Sequence, residues 1–564
     1  MSVAQHPHGL TKRLGVPGER ALAWLLVALP AVGLLVFFGY PLVLIGLRSV
    51  GGSGHAFSLA NYVRLGSDPE VPRAALHSLL LSTVTTVATM LAALLIAMAL
   101  HRSRMRGKWL VRGVLALPML APSLMQGLGL VFLLGRNGLV HRLSGLPTDV
   151  YGFSGLLIAD TCYALPQAVI IVSAALARTD RRHYDAAESM GASAWRQFLD
   201  ITLPQAWLGL LSAAFVVFTV TVTDFGNAII VGGSYKVLAT EIYDQVSGQM
   251  DFGMGATVGM VLLLPAFLSL YIEHVASRRG EASEHAMRFE APPGRSRDAM
   301  LSLACVCLLA PLAAIFATVV YASFVALWPY RLGLTLAHYH TDLPNGYAPI
   351  LTSLEVSAAV AVAGTALLFV LALGMRRLPA LLARALHFLA VMPAAVPGMI
   401  LGIAYVLAFN DGPLSSWLYG SATLVVLCNF YHYHAQGFLT MSTGMRAVPA
   451  TLEDAAACLG GHGLQSIRDV VLPSMAPALV SVFFLLFVQS MVTLSAVVFL
   501  VTPDFGLASV AVMQLEENGF VSQAAAYSTC IVAVVVAALG LMRLVAGRTR
   551  VRTYLIEGAM PHVA

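Results

Sequence analysis

Asp185-Ala-Ala-Glu-Ser-Met-Gly191, followed by Ile201-Thr-Leu203-Pro204, is one of two segments that decide how this chain is read. The other is Asp454-Ala-Ala-Ala-Cys-Leu-Gly460, followed by Val470-Val-Leu472-Pro473. In both, the proline follows the glycine by 13 positions, and the copies lie 269 positions apart. A carboxylate at Asp185 or Asp454 can cap the free amides of a helix N-terminus. Ala186-Ala187 and Ala455-Ala456 give a small, smooth surface. Gly191 and Gly460 suit a helix-ending turn, and Pro204 and Pro473 suit the first turn of the next helix. The spacing predicts a short helix held between two longer elements and shaped to dock on another protein.

The two segments sit inside a longer repeat. At an offset of 275, Ser78-Leu79 falls on Ser353-Leu354, Pro118-x-x-x-Pro122 on Pro393-x-x-x-Pro397, and Gly127 on Gly402. At the offset of 269, Gln167 also falls on Gln436. The chain is therefore expected to be two similar halves in tandem, 1–276 and 299–564. A polar linker over 277–298 carries Arg278, Arg279, Glu281, Glu284, Pro292 and Pro293. The docking segments span about 179–205 and 446–474.

What surrounds these segments is apolar. Of 564 residues, 58% are hydrophobic and 11% charged, against about 25% charged in soluble domains. A helix needs about 20 apolar residues to cross a bilayer. Twelve stretches qualify, near 21–48, 75–100, 112–134, 152–178, 206–232, 254–276, 299–328, 352–374, 385–409, 421–445, 476–502 and 525–547. The ninth is interrupted by Pro393 and Pro397. The first runs past Tyr40-Pro41 without a small-residue cleavage site and is read as a retained span. The fold expected is all-α, a polytopic membrane protein with about 12 transmembrane helices in two six-helix halves.

Charge placement sets the orientation. All but seven of the 33 Lys and Arg residues fall on one set of loops, including those holding the repeated segments. Basic loops stay inside, so both termini and both docking segments are expected in the cytoplasm. An even number of spans per half makes the repeat parallel, related by an axis along the membrane normal. No long basic run argues for nucleic acid. The six cysteines form no zinc spacing and read as small hydrophobes.

The doubled segment resembles the EAA signature of ABC importer permeases: Glu-Ala-Ala, three residues, Gly, about nine residues, then Ile-x-Leu-Pro. Both copies here have Asp for Glu. The resemblance covers about 75–547. It implies that each segment forms a coupling helix fitting a groove on a cytoplasmic ATPase. The contacts would be Asp185, Ala186, Ala187, Gly191, Leu203 and Pro204 in one half, and Asp454, Ala455, Ala456, Gly460, Leu472 and Pro473 in the other. It further implies two copies of that ATPase, a periplasmic substrate-binding protein, a bacterial inner-membrane location and no second permease chain. No cofactor is expected. The chain itself lacks Gly-x-x-x-x-Gly-Lys-Ser/Thr, so the energy must come from a partner. His-Glu-x-x-His and Gly-x-Ser-x-Gly are absent too.

Polar residues within spans are costly and mark either a solute path or interhelical hydrogen bonds. Asp160, Gln167, Asp224 and Asn227 stand out in the first half, and Asn429, Gln436, Thr493 and Ser495 in the second. Both meanings stay open for them. His432-x-His434 does not make a metal site alone, because residues two apart on a helix point to nearly opposite sides. Among fused permeases for iron(III), thiamine and 2-aminoethylphosphonate, the chain looks most like those of the phosphonate. The segments that carry this are Thr223-Asp224-Phe-Gly-Asn227, Val237-Leu-Ala-Thr240-Glu-Ile-Tyr243 and Ser490-Met-Val-Thr493-Leu-Ser495. Iron(III) or thiamine is the alternative substrate, and a self-powered secondary transporter the rival mechanism.

Overall fold

Apolar runs in lipid must satisfy their own backbone, which makes them helices. The computed structural model describes residues 17–51, 58–177, 179–278, 294–340, 346–411, 415–461, 463–502 and 505–548. Most of the expected linker, including Arg279, Glu281, Glu284, Pro292 and Pro293, lies outside these residues, as do both chain ends. The described chain is almost entirely helical. One short antiparallel hairpin, Val325–Leu327 with Arg331–Leu334, interrupts it between the seventh and eighth spans.

Among the described residues, ten helices are long and apolar enough to cross a membrane, and a bent pair makes an eleventh. That is fewer than the twelve expected, for two physical reasons. The ninth stretch is the bent pair: Ala380–Ala395 and Gly398–Phe409 meet at 105°. Pro397 lacks the amide that would continue the helix, and its extended backbone starts the next segment instead. The tenth stretch does form an unbroken helix, Ala422–Ala447. Its run from Asn429 to Gln436 is too polar for it to count as an apolar span. The third stretch is broken at the equivalent proline, Pro122, between Lys108–Leu120 and Ser123–Leu134.

The fifth and eleventh spans end at Val222 and Val492, about ten residues earlier than expected. In the first half, the Thr223 hydroxyl bonds back to the Thr219 carbonyl at 2.9 Å. The Asp224 carboxylate accepts the Asn227 amide at 2.9 Å. Such local bonds compete with helix continuation. The chain then makes two short helices, Gly226–Val231 and Leu238–Tyr243, before the sixth span starts at Phe252. In the second half a turn leads into Ala508–Glu517.

Both returning segments are pinned by the repeated serine. Ser78 accepts the Leu238 amide at 2.8 Å, and Ser353 accepts the Ala508 amide at 2.8 Å. These serines satisfy orphan amides at helix starts.

Each half lends its first helix to the other. The first helix packs against the eighth span, and the seventh packs against the second and third. Close approach is made at glycines, as small residues permit in membranes. The Tyr431 hydroxyl fills the space beside Gly33, and Ile315 and Val319 fill the space beside Gly129. The first helix carries a π-helical turn at Leu35–Gly39, and its Phe37 carbonyl accepts the Tyr405 hydroxyl at 2.6 Å.

Candidate functional site

Both repeated segments fold as short helices between spans, Arg181–Ser189 and Ala450–Cys458. Asp185 and Asp454 are not the N-caps expected from the sequence. The first helix starts earlier and is capped by Asp180, which accepts the Arg182 amide at 3.0 Å. The second follows Pro449. Asp185 lies mid-helix, exposed, and 3.5 Å from Arg181.

The C-termini explain the Ala-Ala-x-x-x-Gly spacing. Gly191 has φ +77° and Gly460 φ +82°. The Gly191 amide donates to the Glu188 carbonyl at 2.9 Å, and the Ala192 amide to the Ala187 carbonyl at 2.9 Å. In the second half Gly460 donates to Ala457 at 3.0 Å, and Gly461 to Ala456 at 2.9 Å. Both patterns are Schellman ends, which need a residue free to take positive φ. After each glycine a single helical turn runs into a π-helical turn, Phe198–Thr202 or Ile467–Val471. Leu203 and Leu472 then start the fifth and eleventh spans, with Pro204 and Pro473 in the first turn.

Sequence reasoning missed the most exposed part of this surface. Beside each glycine a large apolar side chain stands out: Met190 is 81% exposed and Leu459 89%. Five positions on, Trp195 is 67% exposed and Leu464 74%. All four match at the 269 offset, a signal visible in the sequence once the repeat is aligned. Exposed apolar groups at matched positions mark an interaction surface.

Sequence reasoning also missed how each short helix is braced. Arg102 and Arg377 are equivalent at the 275 offset, and Tyr184 and Glu453 at the 269 offset. Arg102 is buried at the end of the second span. It donates to the Tyr184 hydroxyl at 3.0 Å and to Thr179, and its guanidinium lies 4.6 Å from the Tyr184 ring centre. The Tyr184 hydroxyl also bonds Thr202 at 2.8 Å. In the second half the brace is ionic: Glu453 lies 3.1 Å from Arg376 and 3.8 Å from Arg377. Arg376 also donates to the Val448 carbonyl at 3.3 Å. Different chemistry holds the same position on the same strut.

Among the polar span residues, three come together. The Asn227 side-chain amide donates to Asp160 at 3.0 Å, while its backbone amide donates to Asp224. All three are buried. Asn429 is equivalent to Asp160 and is likewise fully buried, donating to Ser490 at 2.8 Å. Thr493 occupies the place of Asp224, its carbonyl accepting the Ser509 hydroxyl. Ser495 packs against Gly398. Gln167 is half-buried, and Gln436 is exposed, accepting from Gln489 at 3.3 Å; these two stand apart from the cluster. His434 bonds the Ala390 carbonyl at 3.0 Å, while His432 faces Gly398.

The family described as binding-protein-dependent transport system inner membrane component matches the chain twice, over residues 86–280 and 368–551. The ferric transport system permease protein FbpB of Actinobacillus pleuropneumoniae is 28% identical over 554 residues, 93% of this chain and 78% of that protein. The thiamine transport system permease protein ThiP of Brucella abortus (strain 2308) is 28% identical over 258 residues, 45% of this chain and 46% of that protein. The molybdenum transport system permease protein ModB of Azotobacter vinelandii is 30% identical over 209 residues. That stretch is 92% of its length but 36% of this chain, so nearly the whole of that relative corresponds to about a third of this chain.

Proposed function

This chain belongs to the binding-protein-dependent transport system inner membrane component family, and from that premise we propose how it works. It is a multi-pass inner-membrane permease of an ABC importer for a small solute, and ATP hydrolysis resides in a separate subunit. In our reading, two copies of the ATPase engage it, one at Arg181–Ser189 and one at Ala450–Cys458. A periplasmic binding protein delivers the solute to the opposite face. Both termini and both docking helices lie in the cytoplasm. Alternating access moves the halves against each other, and the braces at Tyr184 and Glu453 carry the motion into the spans.

The observation that carries this reading is the pair of matched docking helices, with equivalent Schellman ends and equivalent exposed apolar knobs. One chain offers two docking sites, so no second permease chain is required. The test is co-purification of an ATPase with the intact chain. Substituting Met190→Asp and Leu459→Asp together should abolish it. Undiminished co-purification by that variant would remove the docking assignment.

For the solute, 2-aminoethylphosphonate is the reading the segments Thr223–Asn227 and Val237–Tyr243 support. A second reading, iron(III), is favoured by the ferric permease that matches 93% of this chain. Uptake of labelled 2-aminoethylphosphonate and of iron(III), in cells with and without this gene, separates them. Loss of one signal alone names the solute, and loss of neither sinks both.

A further inference from the structure

A cavity of about 610 Å³ opens beside the second docking helix, between the sixth span and the ends of the eighth, ninth and tenth. Its lining is mainly apolar, with Phe267, Phe388 and Met392 among its larger side chains, and it carries three arginines, Arg376, Arg384 and Arg446. No carboxylate lines it among the described residues. Arg376 is paired with Glu453. Arg384 and Arg446 are exposed and have no ion pair among the described residues. The bend of the ninth span lays Ala380–Val391 across this end of the molecule, with Leu381 and Phe388 turned outward.

We propose that this cavity binds an anionic phospholipid, its phosphate headgroup on Arg384 and Arg446 and its acyl chains along Phe267, Phe388 and Met392. Both halves of the lining are needed for the assignment. A small soluble anion leaves the apolar wall unfilled, and a neutral lipid leaves the two guanidinium groups without a counter-charge. Basic pockets between membrane helices recognise headgroups in this way. The charges are not a general demand of the repeat. The first-half positions equivalent to Arg384 and Arg446 are Trp109 and Ala177. Because Arg376 lines the cavity and also holds Glu453, the bound lipid sits one residue from the docking helix. That the lipid belongs to the inner leaflet rests on the orientation proposed above; binding itself does not, and it is measured without transport.

The test is native mass spectrometry of the purified full chain in neutral detergent, titrated with phosphatidylglycerol, phosphatidylcholine or inorganic phosphate. Phosphatidylglycerol should be retained at roughly tenfold lower concentration than phosphatidylcholine. The double variant Arg384→Gln/Arg446→Gln should weaken phosphatidylglycerol binding by about tenfold and leave phosphatidylcholine binding unchanged. Arg384→Lys/Arg446→Lys should keep most of it, which covers the case in which the glutamine variant folds poorly. Equal retention of both lipids, or full phosphatidylglycerol binding by a folded glutamine variant, overturns the proposal. Displacement of phosphatidylglycerol by millimolar inorganic phosphate also overturns it, in favour of a soluble phosphate ligand.

Discussion

The hydroxyl of Ser123 occupies the space that a Cβ on Gly226 would need. In the second half the hydroxyl of Ser495 occupies the space that a Cβ on Gly398 would need. Ser123 is equivalent to Gly398 at the 275 offset, and Gly226 to Ser495 at the 269 offset. The two halves therefore fill one gap from opposite walls. The gap lies between the turn after the fifth or eleventh span and the second segment of the third or ninth. It holds one hydroxymethyl group and no more. Gly226→Ser alone should overpack it at a cost of about 1–3 kcal/mol. Ser123→Gly/Gly226→Ser should recover most of that loss, because it copies the second half. Thermal unfolding in detergent compares the three; a double variant no better than the single would refute the relationship.

Gly191 and Gly460 have open space around a hypothetical Cβ, so their constraint is backbone alone. Alanine at either should cost about 1 kcal/mol through positive φ, with folding preserved. Gly191→Arg/Gly460→Arg adds bulk and charge on the proposed docking surface. Membrane insertion should survive while ATPase co-purification and solute uptake disappear. Normal uptake by the double arginine variant would sink the docking assignment.

The two braces should respond differently to salt. Tyr184→Phe removes hydrogen bonds to Arg102 and Thr202, worth about 2 kcal/mol together. Glu453→Gln weakens a pair whose side chains are about a quarter exposed, worth about 1 kcal/mol. Hydrogen exchange should rise in residues 181–189 for the first variant and 450–458 for the second. High salt should mimic only Glu453→Gln, since it screens the partly exposed ion pair more than the buried tyrosine strut. Equal salt sensitivity of both helices would count against ionic bracing in the second half alone.

Asn227 serves two buried carboxylates, donating to Asp160 through its side chain and to Asp224 through its backbone amide. Asn227→Leu leaves Asp160 without its amide donor and should destabilise the chain by about 2–3 kcal/mol. Asp160→Leu/Asn227→Leu should be milder, because removing both partners leaves no orphaned charge. If denaturation in detergent shows the double variant to be the worse, the cluster is not mutual glue. If the double variant folds normally yet loses uptake, the pair serves the solute path.

The sequence by itself determined the helical membrane fold, the tandem halves and the place of both short helices between spans. Apolar length, charge asymmetry and repeat spacing are properties of the chain read in order. Gly191 and Gly460 were legible for the same reason, since a helix end that needs positive φ selects glycine locally. Helix starts were less legible: Asp185 looked like a cap, but Asp180, one turn earlier, takes that role. The break at Pro397 was legible as a proline, but the end of the fifth span at Val222 was not, because Thr223 and Asp224 act through side-chain bonds that apolar counting does not register. The tertiary structure alone decided that the first helix of each half packs on the other half, and that Arg102 meets Tyr184 while Arg376 and Arg377 meet Glu453. Those contacts join residues 76 to 82 positions apart or in different halves, and no local pattern encodes which side chain fills which gap.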